Sequence, residues 1–401
     1  MKNKLPNGWI ETKLEEVCEL VTDGTHITPN YVNEGVPFIS TINLQPFKKE
    51  FKFDKYRKFI SKEEHSFLTK RVRPQRGDLL ISKCGTIGVT QLVRENYDFS
   101  IFVGLMLVKV KRDKVLSEYL EFYFNNPRVR KELEVLSSGS SRATLTIKIL
   151  KNYKILLPPL ETQKQIVEIL ERAERLKEKR KIANELSAQY LKSIFYEMFG
   201  DPIRNNKKWE IRPLKEFGEI KTGNTPPRIK KEYYGDYIEW IKSDNLNNPS
   251  TYLTKAEEGL SKEGAKVGRV APKRSILVTC IAGSPSCIGN AGIADRDVAF
   301  NQQINAIIPN KDINELFLYY LITYSKDYIL NFSTQSMKGM ISKGAFEKIP
   351  FVLPSKEVQL QFGEIANQIE KTRSHQKQSE EKINNLYNSL MQKAFVGDLI
   401  K

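Results

Sequence analysis

The sequence predicts an α+β chain of two related halves, each a globular α/β part followed by one long helix. Three observations predict it. Residue matches recur about two hundred positions apart, in the same order, along the whole chain. Each half carries short β-branched apolar runs among glycine turns. Each half then closes on a stretch with apolar residues three and four apart.

The repeat organises everything else. Trp9, Leu14, Glu16, Glu19, Thr22 and Thr25 return as Trp209, Leu214, Glu216, Glu219, Thr222 and Thr225. Phe38-Ile39 and Asn43-Leu44 match Trp240-Ile241 and Asn245-Leu246, and Ile87-Gly88 matches Ile288-Gly289. Towards the end of each half, Leu157, Pro158, Glu161, Gln163, Gln165 and Ile169 fall on Leu353, Pro354, Glu357, Gln359, Gln361 and Ile365. Both halves finish on Gly-Asp, at Gly200-Asp201 and Gly397-Asp398. The middles diverge while the ends stay closer, as expected of one frame with two variable faces. The boundaries predicted are 1–156, 157–200, 201–352 and 353–401.

Within the globular parts, Asp78–Ser82 and Ile276–Thr279 have the composition of strands, followed by turns at Gly85, Gly88, Gly283, Gly289 and Gly292. Leu116–Phe124 and Ile313–Tyr324 are predicted helices, with Ser117 and Asn314 as caps. After Leu157-Pro158-Pro159 a long helix is expected from about Glu161 to Phe199, with a seam through Ile166, Ile169, Ala173, Leu176, Ala183, Tyr190 and Ile194. The second copy has Phe362, Ile365 and Ile369, a polar interval, then Ile383, Leu386 and Leu390. So narrow a stripe does not hold a helix alone, so the helices are expected to pack together. Their ends carry more apolar side chains than one seam needs. Ile194, Phe195, Met198, Phe199, Leu390, Met391 and Phe395 are therefore the expected partner-docking residues.

Composition narrows the function. The chain has 401 residues, 64 Lys+Arg against 48 Asp+Glu and a formal net charge of +16. The segment 161–200 holds eight basic and seven acidic residues and 357–396 holds five of each, so nearly all the surplus sits outside the long helices. That distribution points to a polyanion, most simply nucleic acid. No apolar run is long enough to span a membrane, and Met1–Pro6 lacks the apolar stretch of a signal peptide. The 4 cysteines form no CxxC pair, which suits a reducing cytoplasm.

Catalytic signatures are missing. His26, His65 and His375 have no cysteine or carboxylate at ligand spacing. There is no Gly-x-x-x-x-Gly-Lys-Ser/Thr for a nucleotide and no Gly-x-Gly-x-x-Gly after a strand. The Pro-Pro pairs at 158–159 and 226–227 lack the polar and aromatic neighbours of a base-methylating motif. What remains is a duplicated set of polar, cationic loops. Thr22 and Thr25 in one half, and Thr222, Asn224 and Thr225 in the other, can meet phosphates or base edges. Lys83, Arg94, Arg142, Lys148, Arg228, Lys242, Lys338 and Lys343 supply cations. Two unlike readers joined by helices would take a split, asymmetric duplex target, with half-sites about one helical turn, ~34 Å, apart. Two other readings stay open: a self-contained DNA methyltransferase or nuclease, and a coiled-coil adaptor for proteins.

At this point the pattern resembles a known family. Globular part, long helix, globular part, long helix, with Leu-Pro-Pro-Leu-Glu-Thr-Gln-Lys-Gln-Ile at 157–166, is similar to the specificity subunit of type I restriction-modification systems. The second junction departs from it with Ser355 for the second proline and Phe362 after Gln361. The resemblance implies two target-recognition domains reading the halves of a bipartite DNA sequence. It implies spacer helices packed as an antiparallel coiled coil, with pseudo-two-fold symmetry. It also implies two docked methyltransferase (modification) subunits that use S-adenosylmethionine, and restriction/translocase subunits that use ATP and Mg. The chain itself would be non-catalytic, cytoplasmic and free of cofactor.

Overall fold

The computed structural model describes residues 5–53, 57–138, 143–334 and 339–400. The chain divides into two compact units, one of residues 1–179 with 380–401, the other of residues 180–379. Each unit thus holds one globular part, half of one long helix and half of the other.

In the first unit, strand Ile10–Lys13 pairs antiparallel with Lys154–Leu157, so the globular part begins and ends at one place. Between them an antiparallel sheet runs in the order Cys18–Asp23, Leu105–Val110, Leu79–Ser82, Thr90–Leu92. A smaller sheet joins Phe59–Ile60, Val36–Ile39 and Ser100–Ile101. The second unit repeats the plan. Glu210–Pro213 pairs with Pro350–Leu353, and the main sheet runs Gly218–Thr222, Ile304–Pro309, Ile276–Thr279, Ala291–Ile293. Its smaller sheet centres on Tyr234–Ile241 and Val298–Phe300, which pair in parallel. The predicted strands are Leu79–Ser82 and Ile276–Thr279, and every residue in both is buried.

The signatures that repeat have mechanical explanations. In the first junction the Gln163 side chain is fully buried and donates to the Pro158 carbonyl at 2.9 Å and the Lys114 carbonyl at 3.1 Å. Its carbonyl oxygen accepts from the Leu116 N–H at 2.9 Å, ahead of helix Ser117–Asn125. Gln359 does the same work, donating to the Pro354 carbonyl at 2.9 Å and accepting from the Asn314 N–H at 3.1 Å. The Gln five residues after the proline therefore ties the long helix to the globular part. Gln163→Ala strands one donor and two acceptors in a dry site, and is expected to cost about 2–3 kcal/mol in urea denaturation. Gln165→Ala, at an exposed position, should be close to neutral in the same measurement.

Gly200 and Gly397, at φ +73° and +83°, are left-handed residues that end the two long helices. Asp201 then accepts from the Ile203 and Arg204 N–H groups at 2.9 and 3.0 Å and turns the chain into the next part. Asn43 and Asn245, matched in the repeat, close one-turn helices by accepting from the Ser40 and Lys242 N–H groups at 2.9 and 3.0 Å.

Helix caps follow the sequence only in part. Asn314 caps Glu315–Tyr324, its side chain accepting from Leu316 and Phe317 at 3.0 Å. Ser117 does not cap Ser117–Asn125. It is the first helical residue, and its hydroxyl donates to the Gly77 carbonyl at 2.6 Å. Gln163 satisfies the Leu116 N–H that opens this turn.

The long helices are Leu160–Phe199 and Lys356–Ala394. In the second unit Ser187 meets Gln376 at 3.0 Å, while Phe195 and Phe199 pack on Phe362 at 5.4 and 5.3 Å between ring centres. Residue number rises on one helix as it falls on the other, so the halves run antiparallel. The seam the sequence suggests holds at Ile166, Ala173 and Phe362, which are buried, but not at Leu176, Tyr190 and Leu386, which are 51%, 62% and 52% exposed. Leu170 and Leu191, outside that seam, are buried. Spacings of three and four admit both sets, and the helix–helix contact is polar where Ser187 bonds Gln376.

Candidate nucleic-acid interface

In the first unit, strand Cys18–Asp23 runs into the turn Gly24-Thr25-His26. A Cβ on Gly24 would lie 2.3 Å from the Ile101 carbonyl oxygen, so only glycine fits. Asp23, 4% exposed, gathers three basic side chains. Lys83 Nζ and Arg71 Nη2 each donate to it at 2.8 Å, and His26 Nε2 lies 3.1 Å away. Burial alone would raise the Asp23 carboxyl, but the Lys83 and Arg71 hydrogen bonds outweigh it and hold the group below its ordinary value. The side chain of Lys83 is only 15% exposed, while Arg71 and His26 are open to solvent. Thr25 closes the turn, its Oγ1 accepting from the Ile27 N–H at 3.1 Å. Thr22 is half-buried in the strand, opposite Leu107.

In the second unit, the corresponding strand Gly218–Thr222 leads into Gly223-Asn224-Thr225. Gly223 is as tightly enclosed, 2.1 Å from the Asn301 carbonyl oxygen by the same measure. Asn224 stitches loops together, donating to the Val267 carbonyl at 2.9 Å and accepting from the Arg269 N–H at 2.7 Å. Thr225 bonds Gln302. Buried Trp240 donates through Nε1 to the Asn224 carbonyl at 3.3 Å. The Arg228 guanidinium lies 4.6 Å from the Tyr234 ring centre and 5.0 Å from that of Trp240, and Lys242 Nζ is 5.2 Å from the latter. Glu258 pairs with both cations at 2.9 Å. Hydrogen bonds from Lys242 and Arg228 hold its carboxyl below the ordinary value.

The two frames superimpose with a one-residue slip that the sequence matches conceal. Gly24 N–H donates to the Leu105 carbonyl and Gly223 N–H to the Ile304 carbonyl, at 3.1 and 3.0 Å. Asp23 pairs with Met106 and Thr222 with Asn305, so Asp23 stands where Thr222 does. A bulge between Cys18 and Leu20 absorbs the extra residue. The sequence matches of Glu19, Thr22 and Thr25 to Glu219, Thr222 and Thr225 are therefore out of step in space. Lys83 corresponds to Cys280, for their carbonyls accept from Leu145 and Ile341 N–H groups, both at 2.8 Å.

Several predicted contacts fall elsewhere. Arg94 turns inward, paired through both terminal nitrogens with Glu121, whose side chain is wholly buried. This pair ties Arg94 to the helix Ser117–Asn125 and leaves its side chain 22% exposed. Lys148 is exposed on the short helix Ile147–Asn152, and Lys343 opens Lys343–Glu347 and pairs with Glu347 at 3.4 Å. Arg142 and Lys338 lie outside the described residues. The predicted docking residues are mostly core. Phe195, Phe199, Met391 and Phe395 are 0%, 0%, 3% and 6% exposed, and Ile194, Met198 and Leu390 pack against the same clusters. Their apolarity fastens the helix ends to the globular parts: Phe195 and Phe199 stack near Phe317, and Phe395 meets Tyr119 and Tyr123. Sequence reading missed Asp23, Arg71 and Glu258, because acids and a distant arginine reveal their role only once strands bring them together.

One arrangement imitates a hydrolytic centre. His65 Nδ1 lies 2.9 Å from Ser100 Oγ and Nε2 lies 3.8 Å from Asp98. Ser100 is 2% exposed and sits in the smaller sheet, so its hydroxyl cannot reach a substrate. Among the described residues no helix is long and apolar enough to cross a membrane.

Against known proteins, the chain matches the family described as type I restriction modification DNA specificity domain over residues 6–188 and again over 206–385. The chain belongs to this family. Each match covers one copy of the repeat, so both halves are specificity domains of the same kind. The type I restriction enzyme HindI specificity subunit of Haemophilus influenzae is 32% identical over 158 residues, 37% of this chain and 33% of that protein. The MjaIX specificity subunit of Methanocaldococcus jannaschii is 26% identical over 195 residues, 47% of this chain and 44% of the other. The matched stretches thus span a third to under half of these relatives' lengths. A crystal structure of the type I restriction-modification system S subunit from M. genitalium shares the fold, with a TM-score of 0.63 over 98% of this chain and 97% of that one, at 12% identity.

Proposed function

We propose that this chain is the non-catalytic, DNA-reading subunit of a cytoplasmic type I restriction-modification complex, and that its two specificity domains read the two unlike halves of one split duplex sequence. The observation that carries the reading is the pair of matching frames with different braced cations at their turns: Asp23 with Lys83 and Arg71, and Glu258 with Arg228 and Lys242. Cations held in place by a carboxylate suit base edges and phosphates better than freely moving ones. The chemistry would belong to partners: two methyltransferase subunits using S-adenosylmethionine, and restriction/translocase subunits using ATP and Mg. The buried aromatic helix ends are unavailable to them. Ile182, Leu186 and Tyr190, four residues apart and 45%, 57% and 62% exposed on the first long helix, are the better docking stripe.

The test is a map of methylated bases in cells carrying the complex, once with this chain and once with residues 1–156 replaced by those of a relative. One half of a split motif should change and the other stay. A change in both halves defeats independent reading. Methyl transfer from labelled S-adenosylmethionine to DNA by the purified chain alone would favour a self-contained methyltransferase. Duplex binding that does not weaken as salt rises would favour a protein adaptor.

A further inference from the structure

We infer that Asp23 is a positioning residue of the first specificity domain, and that the Asp23–Lys83–Arg71 brace sets that domain's base preference from a spot where the second domain carries a neutral Thr222–Asn305 pair. The inference deepens the DNA-reading function above and rests on it. Its basis is what the two frames place at one spot. Asp23 and Thr222 occupy equivalent strand positions, as do Lys83 and Cys280. In the first domain this spot holds a charged pair at 2.8 Å, with Arg71 added at 2.8 Å from a separate segment. In the second, Thr222 Oγ1 donates to Asn305 Oδ1 at 2.7 Å, and Cys280 is 2% exposed. The frame does not need the charge, since the second domain folds the same way without it. An ion pair that the fold does not require, at the mouth of a turn whose Gly24 is enclosed by backbone, serves something outside the fold.

The geometry says how. Asp23 itself is too buried to meet a ligand. It accepts from one terminal nitrogen of the Arg71 guanidinium, whose side chain is 57% exposed, and leaves that group's other N–H donors for a ligand. It also holds the Lys83 ammonium at 2.8 Å, with His26, 62% exposed, at 3.1 Å. A guanidinium so held can address a guanine edge or a phosphate without losing further freedom on binding.

The experiment is selection of bound duplexes from a randomised pool by the full chain in complex with its methyltransferase subunits, comparing the unmodified chain with Asp23→Asn and Arg71→Gln. Asp23→Asn removes a negative charge. If the carboxylate only repelled phosphates, binding would tighten for all sequences. Positioning predicts the opposite: preference at one half-site falls by about tenfold or more, with the other half-site unchanged. Arg71→Gln, at a solvent-exposed side chain, should weaken the same half-site while leaving the thermal midpoint in place. If both variants select the unmodified motif with equal preference, or if Asp23→Asn tightens binding uniformly, the inference is overturned. If the unmodified chain selects no split motif, the DNA-reading function falls first and takes the inference with it.

Discussion

Glu121→Ala should destabilise the first unit by about 3–5 kcal/mol, because it leaves a desolvated guanidinium with no counter-charge. Glu121 sits on helix Ser117–Asn125 with its side chain wholly buried. One oxygen accepts from the Phe47 and Leu92 N–H groups, both at 3.0 Å, as well as from Arg94. Burial alone would lower the Arg94 pKa, and Glu121 more than reverses it. Alanine therefore strands a cation and two backbone donors together. The double change Arg94→Met with Glu121→Leu, which removes both charges and keeps the volume, should recover the part of the loss due to the unpaired cation, while the Phe47 and Leu92 N–H groups stay without their acceptor. Denaturant unfolding of the unmodified chain, Glu121→Leu, Arg94→Met and the double change gives the coupling, and hydrogen exchange should place the damage in the first unit. If Arg94→Ala weakened DNA binding while stability held, Arg94 would belong to the reading surface after all.

That contrast shows what the sequence can tell and what it cannot. The architecture is legible because it rests on periodic and repeated features: a duplicated frame, two helical stretches, strands such as Ile276–Thr279 whose apolarity marks burial. The junction glutamines are legible as a pattern, though their purpose is not, since Lys114 and Leu116 lie far from Gln163 along the chain. Cations are the hard case. Arg94 and Arg228 look alike in sequence, each in an apparent loop. One finds a buried carboxylate 27 residues away, and the other lies over Tyr234 and Trp240 at the surface. Composition sees the charge, and only the fold decides which way it faces. The aromatic helix ends mislead similarly. A helix end rich in phenylalanine has surplus apolar surface only if nothing of its own chain covers it, and here Phe317, Phe362 and Tyr119 do.

Ending the chain at Ser379 should abolish the first unit and spare the second. The first unit's core is completed by the last turns of the second long helix: Tyr387, Met391, Ala394 and Phe395 are 8%, 3%, 0% and 6% exposed, in one cluster with Tyr119, Ile166 and Leu170. Lys177 covers the Tyr387 ring at 4.2 Å, and Asn126 donates to the Met391 carbonyl at 2.8 Å. Burial of Tyr387, Met391 and Phe395 is worth roughly 5–9 kcal/mol together at about 1.5–3 kcal/mol each. That matches the whole stability of an ordinary domain, about 5–15 kcal/mol, so what remains of the unit has little left to hold it. The second unit loses nothing, because residues 180–379 supply both of its helix halves, with Phe195, Phe199 and Phe362 all inside. Limited proteolysis followed by mass spectrometry should leave a resistant fragment close to 180–379 and none covering 5–179. Protection of the N-terminal part at its full-length level would mean that the globular part folds without the C-terminal helix, and that the tail only decorates a core already closed.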